Sequence, residues 1–288
     1  MSDNTADARQ MGTMTDLNAI LDGGMVYFRA RHLLQRCGVE DPHAHLFVSR
    51  AVQRRAGLTY TANPAVLAVS LGRFAFFSAQ MATAAKALPQ FLLLGVGYDT
   101  RALWLKDLMR DDLRVFEVDL PDKIAHKSEI LSRNGIDYPP TVVAVPGDLT
   151  DEAFPGRLVE NGFDPSRPTA VFAEGLFFQL QPESIERLLD PNHLGLAPGS
   201  ELTFDFWSNA RIDRRNRMEA ANGRPYRFGN FPLPDTRGDL PAALMARGFR
   251  DVHIAPVRDV VEQYCPDMPL TDESEDPDDW LVVRATVR

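Results

Sequence analysis

Apolar residues recur at intervals of three and four from about residue 17 to residue 88. The pattern is broken at Gly23-Gly24, Asp41-Pro42 and Asn63-Pro64. That spacing predicts three or four helices in an N-terminal segment. Residues 1–16 hold too few apolar side chains to pack and read as a frayed tail. After Pro89 the period changes, and short apolar runs alternate with helical stretches. The predicted strands are 91–96, 114–119, 141–146, 169–174 and 200–207. Two more come at 249–257 and 279–287, with a helix over 239–248 stopped by Gly248. Five βα steps, a helix and two last strands predict an α/β fold: a seven-stranded Rossmann-like sheet in one domain over residues 17–288. Two stretches interrupt this rhythm. Residues 208–236 carry six arginines and several aromatics, long for a strand-to-helix connection, and read as an inserted substrate cap. Residues 271–279, almost wholly acidic or polar, read as a solvated hairpin loop between the last two strands.

The chain has 288 residues, of which 44% are apolar, so it can bury a substantial core. Its formal charge of -9 opposes general binding to nucleic acid or to an anionic membrane. Cys37 and Cys265 lie far apart without metal-ligand spacing, and two reduced thiols are expected. The polar, acidic start lacks the apolar core of a signal peptide, and no apolar run reaches the roughly 18 residues of a membrane span. A cytoplasmic protein is expected. The six histidines show no pairing with a nucleophile and no metal-ligand spacing, so no catalytic metal is expected.

In an open parallel sheet, ligands bind beyond the carboxyl ends of the strands. The first strand runs into Gly95-Val96-Gly97-Tyr98-Asp99-Thr100. Thr100 stands where a dinucleotide fingerprint needs its third glycine, so the motif fits phosphate binding poorly. The second strand ends in Asp119, placed to accept from ribose hydroxyls. The third ends near Asp148, and the fourth in Glu174. Glycines for backbone contact, with acids for a ribose, an adenine amine and an ammonium, together describe S-adenosylmethionine. The cofactor's own carboxylate then needs a cation, from Arg73 or from Arg29 or Arg31 upstream.

The segments LLLGVGYDTRALWL, FEVDLPDKIAHKSEIL, VPGDL and AEGLFFQLQPESIERLL resemble, in order and spacing, the leucine carboxyl methyltransferase family. The resemblance extends to its bacterial tetracenomycin-type branch of polyketide carboxyl methyltransferases and covers about residues 25–288, including DLPAALMARGFRDV. It implies a class I methyltransferase fold. Residue by residue, it implies that Arg73 binds the cofactor carboxylate, Gly95 and Gly97 line the methionine moiety and Asp119 holds the ribose. It further implies Asp148 and Leu149 at the adenine and Glu174 at the cofactor's amine. The family's early basic position falls near both Arg29 and Arg31.

Each of these residues also has an ordinary structural role. A strand-end Asp caps helices, a buried Glu forms salt bridges, and Arg73 can tie a helix to the sheet. The arginines from Arg211 to Arg227 can form a solvated face, or Arg214, Arg215, Arg224 or Arg227 can pair an acceptor carboxylate. Trp207, Tyr226, Phe228 and Phe231 can floor a ring-bearing substrate or form the cap's own core. Phe177, Phe178 and Gln179 can line the transfer pocket. The resulting expectation is an O-methyltransferase acting on a carboxylate of a small natural product or peptide C-terminus, with no catalytic residue singled out. Methylation of a hydroxyl on a polyketide or aromatic metabolite is the nearest alternative. A nicotinamide-dependent oxidoreductase and a non-catalytic binding module stand further off.

Overall fold

The computed structural model describes residues 26, 27, 29, 37–49, 64–104, 112–223, 227–268, 270 and 277–288. The tail over 1–16, Arg31, Arg224, Tyr226 and most of the acidic stretch 271–279 lie outside the described residues. Seven strands form one sheet: β1 Gln90–Leu94, β2 Arg114–Asp119, β3 Val142–Pro146, β4 Thr169–Ala173, β5 Glu201–Trp207, β6 Phe249–Pro256 and β7 Trp280–Val287. The spatial order is β3-β2-β1-β4-β5-β7-β6. β1 to β5 run parallel, and β7 inserts antiparallel between β5 and β6. The chain therefore starts mid-sheet at β1, winds out to β3 and returns through β4. The order reverses between β1 and β4, which opens a crevice beyond their carboxyl ends.

The helices are α1 Pro64–Ala84, α2 Arg101–Trp104, α3 Pro121–Arg133, α4 Phe154–Glu160, α5 Pro182–Leu188, α6 Asn209–Ala221, α7 Leu240–Ala246 and α8 Val257–Tyr264. Among the described residues, no helix is long and apolar enough to cross a membrane. The period-2 alternation of the strands divides the core. Phe91, Leu93, Phe172 and Val282 face α1 and α8, whose Phe74, Phe77 and Val261 share that cluster. Leu92, Leu94, Phe204 and Val283 face the opposite layer, where α4, α5 and α7 contribute Leu158, Ile185 and Leu244. Burying these faces at about 25 cal/mol per Å² is the main force behind the sheet. Glu117 of β2, wholly buried under α3, is met by Lys127 at 2.6 Å.

Two expectations are corrected. The connection between the last two strands is not a simple hairpin loop, because α8 intervenes and packs on α1. Val257, Val260, Val261 and Tyr264 are spaced for one helical face, but Val257 also continues the apolar run of β6, which hides the start of the helix. The expectation of two reduced thiols is also overturned: Cys37 and Cys265 form a disulfide across 228 residues. The residue after α8 is thereby bonded to the N-terminal segment, a proximity that sequence distance conceals. That segment is also held by Asp41, whose Oδ1 accepts from the backbone N–H of Ala44 at 3.0 Å and from the Thr100 hydroxyl at 2.6 Å.

Candidate functional site

A cavity of about 230 Å³ opens beyond the carboxyl ends of β1 and β4, beneath α1 and the start of α6. Gly95 and Gly97 lie on its wall with φ of +62° and +48°. A side chain at Gly95 would come within 2.8 Å of Leu176, whereas the space beside Gly97 is open. Both positions need backbone that L-residues adopt with difficulty, and the turn lets ligand approach the main chain. Asp119 pins this turn: Oδ2 accepts from the Gly97 N–H at 2.6 Å, and Oδ1 from Leu120 at 2.8 Å. Its carbonyl in turn accepts from the N–H of Gly147, the residue before Asp148. The three strand ends are thus joined in series. Asp148 is exposed and accepts from the Thr150 N–H at 2.8 Å, while Leu149 is buried in the core.

At the floor of the cavity the charges form a buried network. Arg73 projects from the middle of α1. Its Nε lies 3.3 Å from Glu174 and its Nη1 3.1 Å from Asp205. Arg101, only 2% exposed, bridges Glu174 at 2.5 Å and Asp99. Its guanidinium lies 4.4 Å over the Phe74 ring. Burial pushes the Asp99 carboxyl upward, but the charge and hydrogen bonds of Arg101 and the charge of Arg29 together outweigh it and hold the pKa at about 2. The same two acids raise the pKa of Arg101 against the cost of its burial. Arg29 also reaches the cavity, donating to the Tyr98 carbonyl at 3.0 Å.

The other end of the cavity is aromatic and basic. Phe178 stacks on Trp207 at 4.0 Å and 6°, with Trp280 edge-on to both. Such pairs contribute about 0.5–1.5 kcal/mol each beyond their area. Arg211 lies 4.9 Å over Trp207 and 5.3 Å over Trp280, and Arg215, one turn along α6, lies 5.8 Å over Trp207. The Ser208 hydroxyl caps α6 by accepting from the Arg211 N–H at 3.2 Å. It also donates to Asp279 at 3.0 Å, so the helix start is fixed against the strand that bears Trp280.

The structure brings Arg73, Gly95, Gly97, Glu174, Phe178, Gln179, Trp207 and Arg215 to one cavity. Asp119 reaches it through Gly97, and neither Asp148 nor Leu149 lines it. Among the described residues, five of the expected acceptor residues do not line it. Phe177 faces the opposite layer, wholly buried against Phe204. Arg214 is partly exposed and pairs with Asp279 instead. Arg227 is exposed away from the cavity, and Tyr226 is not among the described residues. Phe228 packs behind Trp207 and Phe178, while Phe231 stacks on Phe206 across the sheet. The cap's aromatics therefore serve both core and wall. The residues that sequence reasoning missed are Arg101, Asp205, Arg211 and Trp280. Arg101 had a usable signal, since it comes two residues after Asp99 of the glycine turn.

The sequence profile of the leucine carboxyl methyltransferase family matches residues 24–192. Curated relatives include a Mycolicibacterium paratuberculosis protein, 31% identical over 70% of this chain and 68% of its own length. Another, from Mycolicibacterium gilvum, is 35% identical over 61% of this chain, which spans just under two thirds, 65%, of that relative. Both bear the provisional name S-adenosyl-L-methionine-dependent methyltransferase. Among solved structures, a protein of Thermobifida fusca provisionally named a methyltransferase superposes with a TM-score of 0.57. It is 16% identical, and the match covers 96% of this chain and all of that one. A DUF574 family protein of Streptomyces avermitilis gives a TM-score of 0.57 at 18% identity over 91% of this chain and 97% of its own. These two likenesses concern the fold.

Proposed function

Since the chain belongs to the leucine carboxyl methyltransferase family, we propose that it is an S-adenosylmethionine-dependent O-methyltransferase that esterifies a carboxylate. The acceptor is a small natural product or a peptide C-terminus. One observation carries this reading: a single cavity has a mixed-charge end at Arg73, Arg101 and Glu174 and a separate cationic, aromatic end at Arg211, Arg215 and Trp207.

The mixed-charge end suits a zwitterion. Glu174 faces an ammonium, and Arg73 and Arg101 beside it, with Arg29 elsewhere on the cavity wall, offer cations for a carboxylate. Asp119, whose Oδ2 already fixes the glycine turn, would receive ribose hydroxyls. Asp148 and Leu149 would border the adenine beyond it. When bound, the cofactor supplies an electrophilic methyl group on a sulfonium. Arg211 and Arg215 bind and orient the acceptor carboxylate, and the wall of Phe178, Trp207 and Trp280 excludes water from it. An acceptor acid with a pKa near 4 is already ionised at neutral pH and needs no proton removed, unlike a phenol near 10. Among the described residues, neither His193 nor His253 lines the cavity, and the acids that do, Asp99 and Glu174, are both engaged by Arg101. This supports the carboxylate over the hydroxyl reading.

The test is a methyl-transfer assay with labelled cofactor across a panel of carboxylic acids and phenols. The expected product is a methyl ester that releases methanol in mild base. A base-stable ether or N-methyl product would replace the ester reading.

A further inference from the structure

Asp205 is the fifth residue of β5, on the face that also carries Thr203 and Trp207, and its side chain is wholly buried. A carboxylate inside a strand is costly unless its oxygens are matched. Here both are. Oδ1 accepts from the Gly175 N–H at 2.6 Å, in the turn after β4. Oδ2 accepts from Arg73 Nη1 of α1 at 3.1 Å and from the Trp280 indole N–H of β7 at 2.6 Å. Burial pushes its carboxyl pKa up, and the Arg73 charge opposes that.

Three elements thus converge on an acid that does not itself line the cavity. Arg73 is further confined because its guanidinium lies 4.6 Å over the Trp280 ring and 3.5 Å from where a Cβ on Gly175 would sit. A guanidinium so held keeps its Nε 3.3 Å from Glu174. Trp280, held by the same oxygen, supports the wall against which Trp207 and Phe178 pack.

We propose that Asp205 is a positioning residue that sets Arg73 and Trp280 together, coupling the seat of the cofactor's amino-acid end to the acceptor wall. This rests on the reading that the cavity takes S-adenosylmethionine. A purely structural buried acid would, on removal, loosen the whole site. A positioning acid affects only the part of a ligand that meets Arg73.

The experiment compares calorimetric affinities for S-adenosylhomocysteine and for 5′-methylthioadenosine, which keeps the adenosine and thioether but lacks the amino-acid end. In Asp205→Asn, S-adenosylhomocysteine should weaken by about tenfold or more, as for loss of a charge-assisted hydrogen bond, while methylthioadenosine stays within about twofold. Asp205→Glu should restore part of the loss. Trp280→Phe keeps the ring, removes one of the three donors and should show a smaller loss with the same selectivity. It carries the test if the Asp205 variants do not fold. Equal weakening of both ligands, or no change in their ratio, would overturn the proposal. An unmutated protein that binds neither ligand would instead overturn the cofactor reading beneath it.

Discussion

The two ends of the cavity are built differently. At the end proposed for the cofactor, Gly95, Gly97, Asp99, Asp119 and Glu174 each lie within a few residues of a strand terminus, held by backbone and by buried ion pairs. At the acceptor end, Arg211 and Arg215 come from one face of a helix and lie over aromatic rings from β5 and β7. The first end is fixed by sheet register. The second depends on how one helix rotates against the sheet. Rigid local geometry suits a ligand shared by many enzymes, and a helix face can change its side chains without disturbing the strands.

The largest expected effect breaks the cofactor end alone. Glu174→Gln leaves two buried guanidinium groups facing an amide, which costs about 3 kcal/mol or more. Affinity for S-adenosylhomocysteine should fall at least about a hundredfold by calorimetry, and a loss under about threefold would refute the network's role. Next is the disulfide, which bonds the segment carrying Arg29 to the end of α8. Reduction, or Cys37→Ser, should lower unfolding free energy by about 2–4 kcal/mol in denaturant titration. An unchanged midpoint would show that the bond contributes nothing.

The acceptor end is sharpened by two neighbours on α6. Arg211→Ala should reduce methyl transfer by about tenfold to a hundredfold while leaving cofactor-analogue binding within about twofold. Arg214→Ala, which breaks a partly exposed pair with Asp279, should leave both nearly unchanged. Equal effects from the two variants would mean that the helix face has been misassigned. The last effect is confined to acid. The folded pKa of Asp99, about 2, lies below its ordinary 3.8. Its pair with Arg101 therefore contributes in full above pH 4 and is lost as pH falls toward 2, for a total of about 2 kcal/mol. Asp99→Asn should show a shallower loss of stability over that window, and an identical slope would exclude this source.

The strands and the cofactor end were legible in the sequence for the same reason. Alternating apolar runs locate the strands, and the end of each run locates the turn beyond it, so Asp119 and Glu174 fall where the sheet requires. Asp205 and Trp280 were not legible because their role depends on contacts between α1, β4, β5 and β7, whose pairing is set by tertiary packing. Arg214 and Arg211 differ by three positions, and only the seating of α6 decides which meets Trp207. The bond between Cys37 and Cys265 likewise depends on where α8 packs, an element hidden in the sequence by the apolar run of β6.

The most direct test is a calorimetric titration with S-adenosylhomocysteine of the unmutated protein, Asp119→Ala and Arg211→Ala. The account predicts micromolar or tighter binding that is lost in Asp119→Ala and retained in Arg211→Ala. No binding by the folded, unmutated protein, or an equal loss in both variants, would contradict a cavity with separate cofactor and acceptor ends.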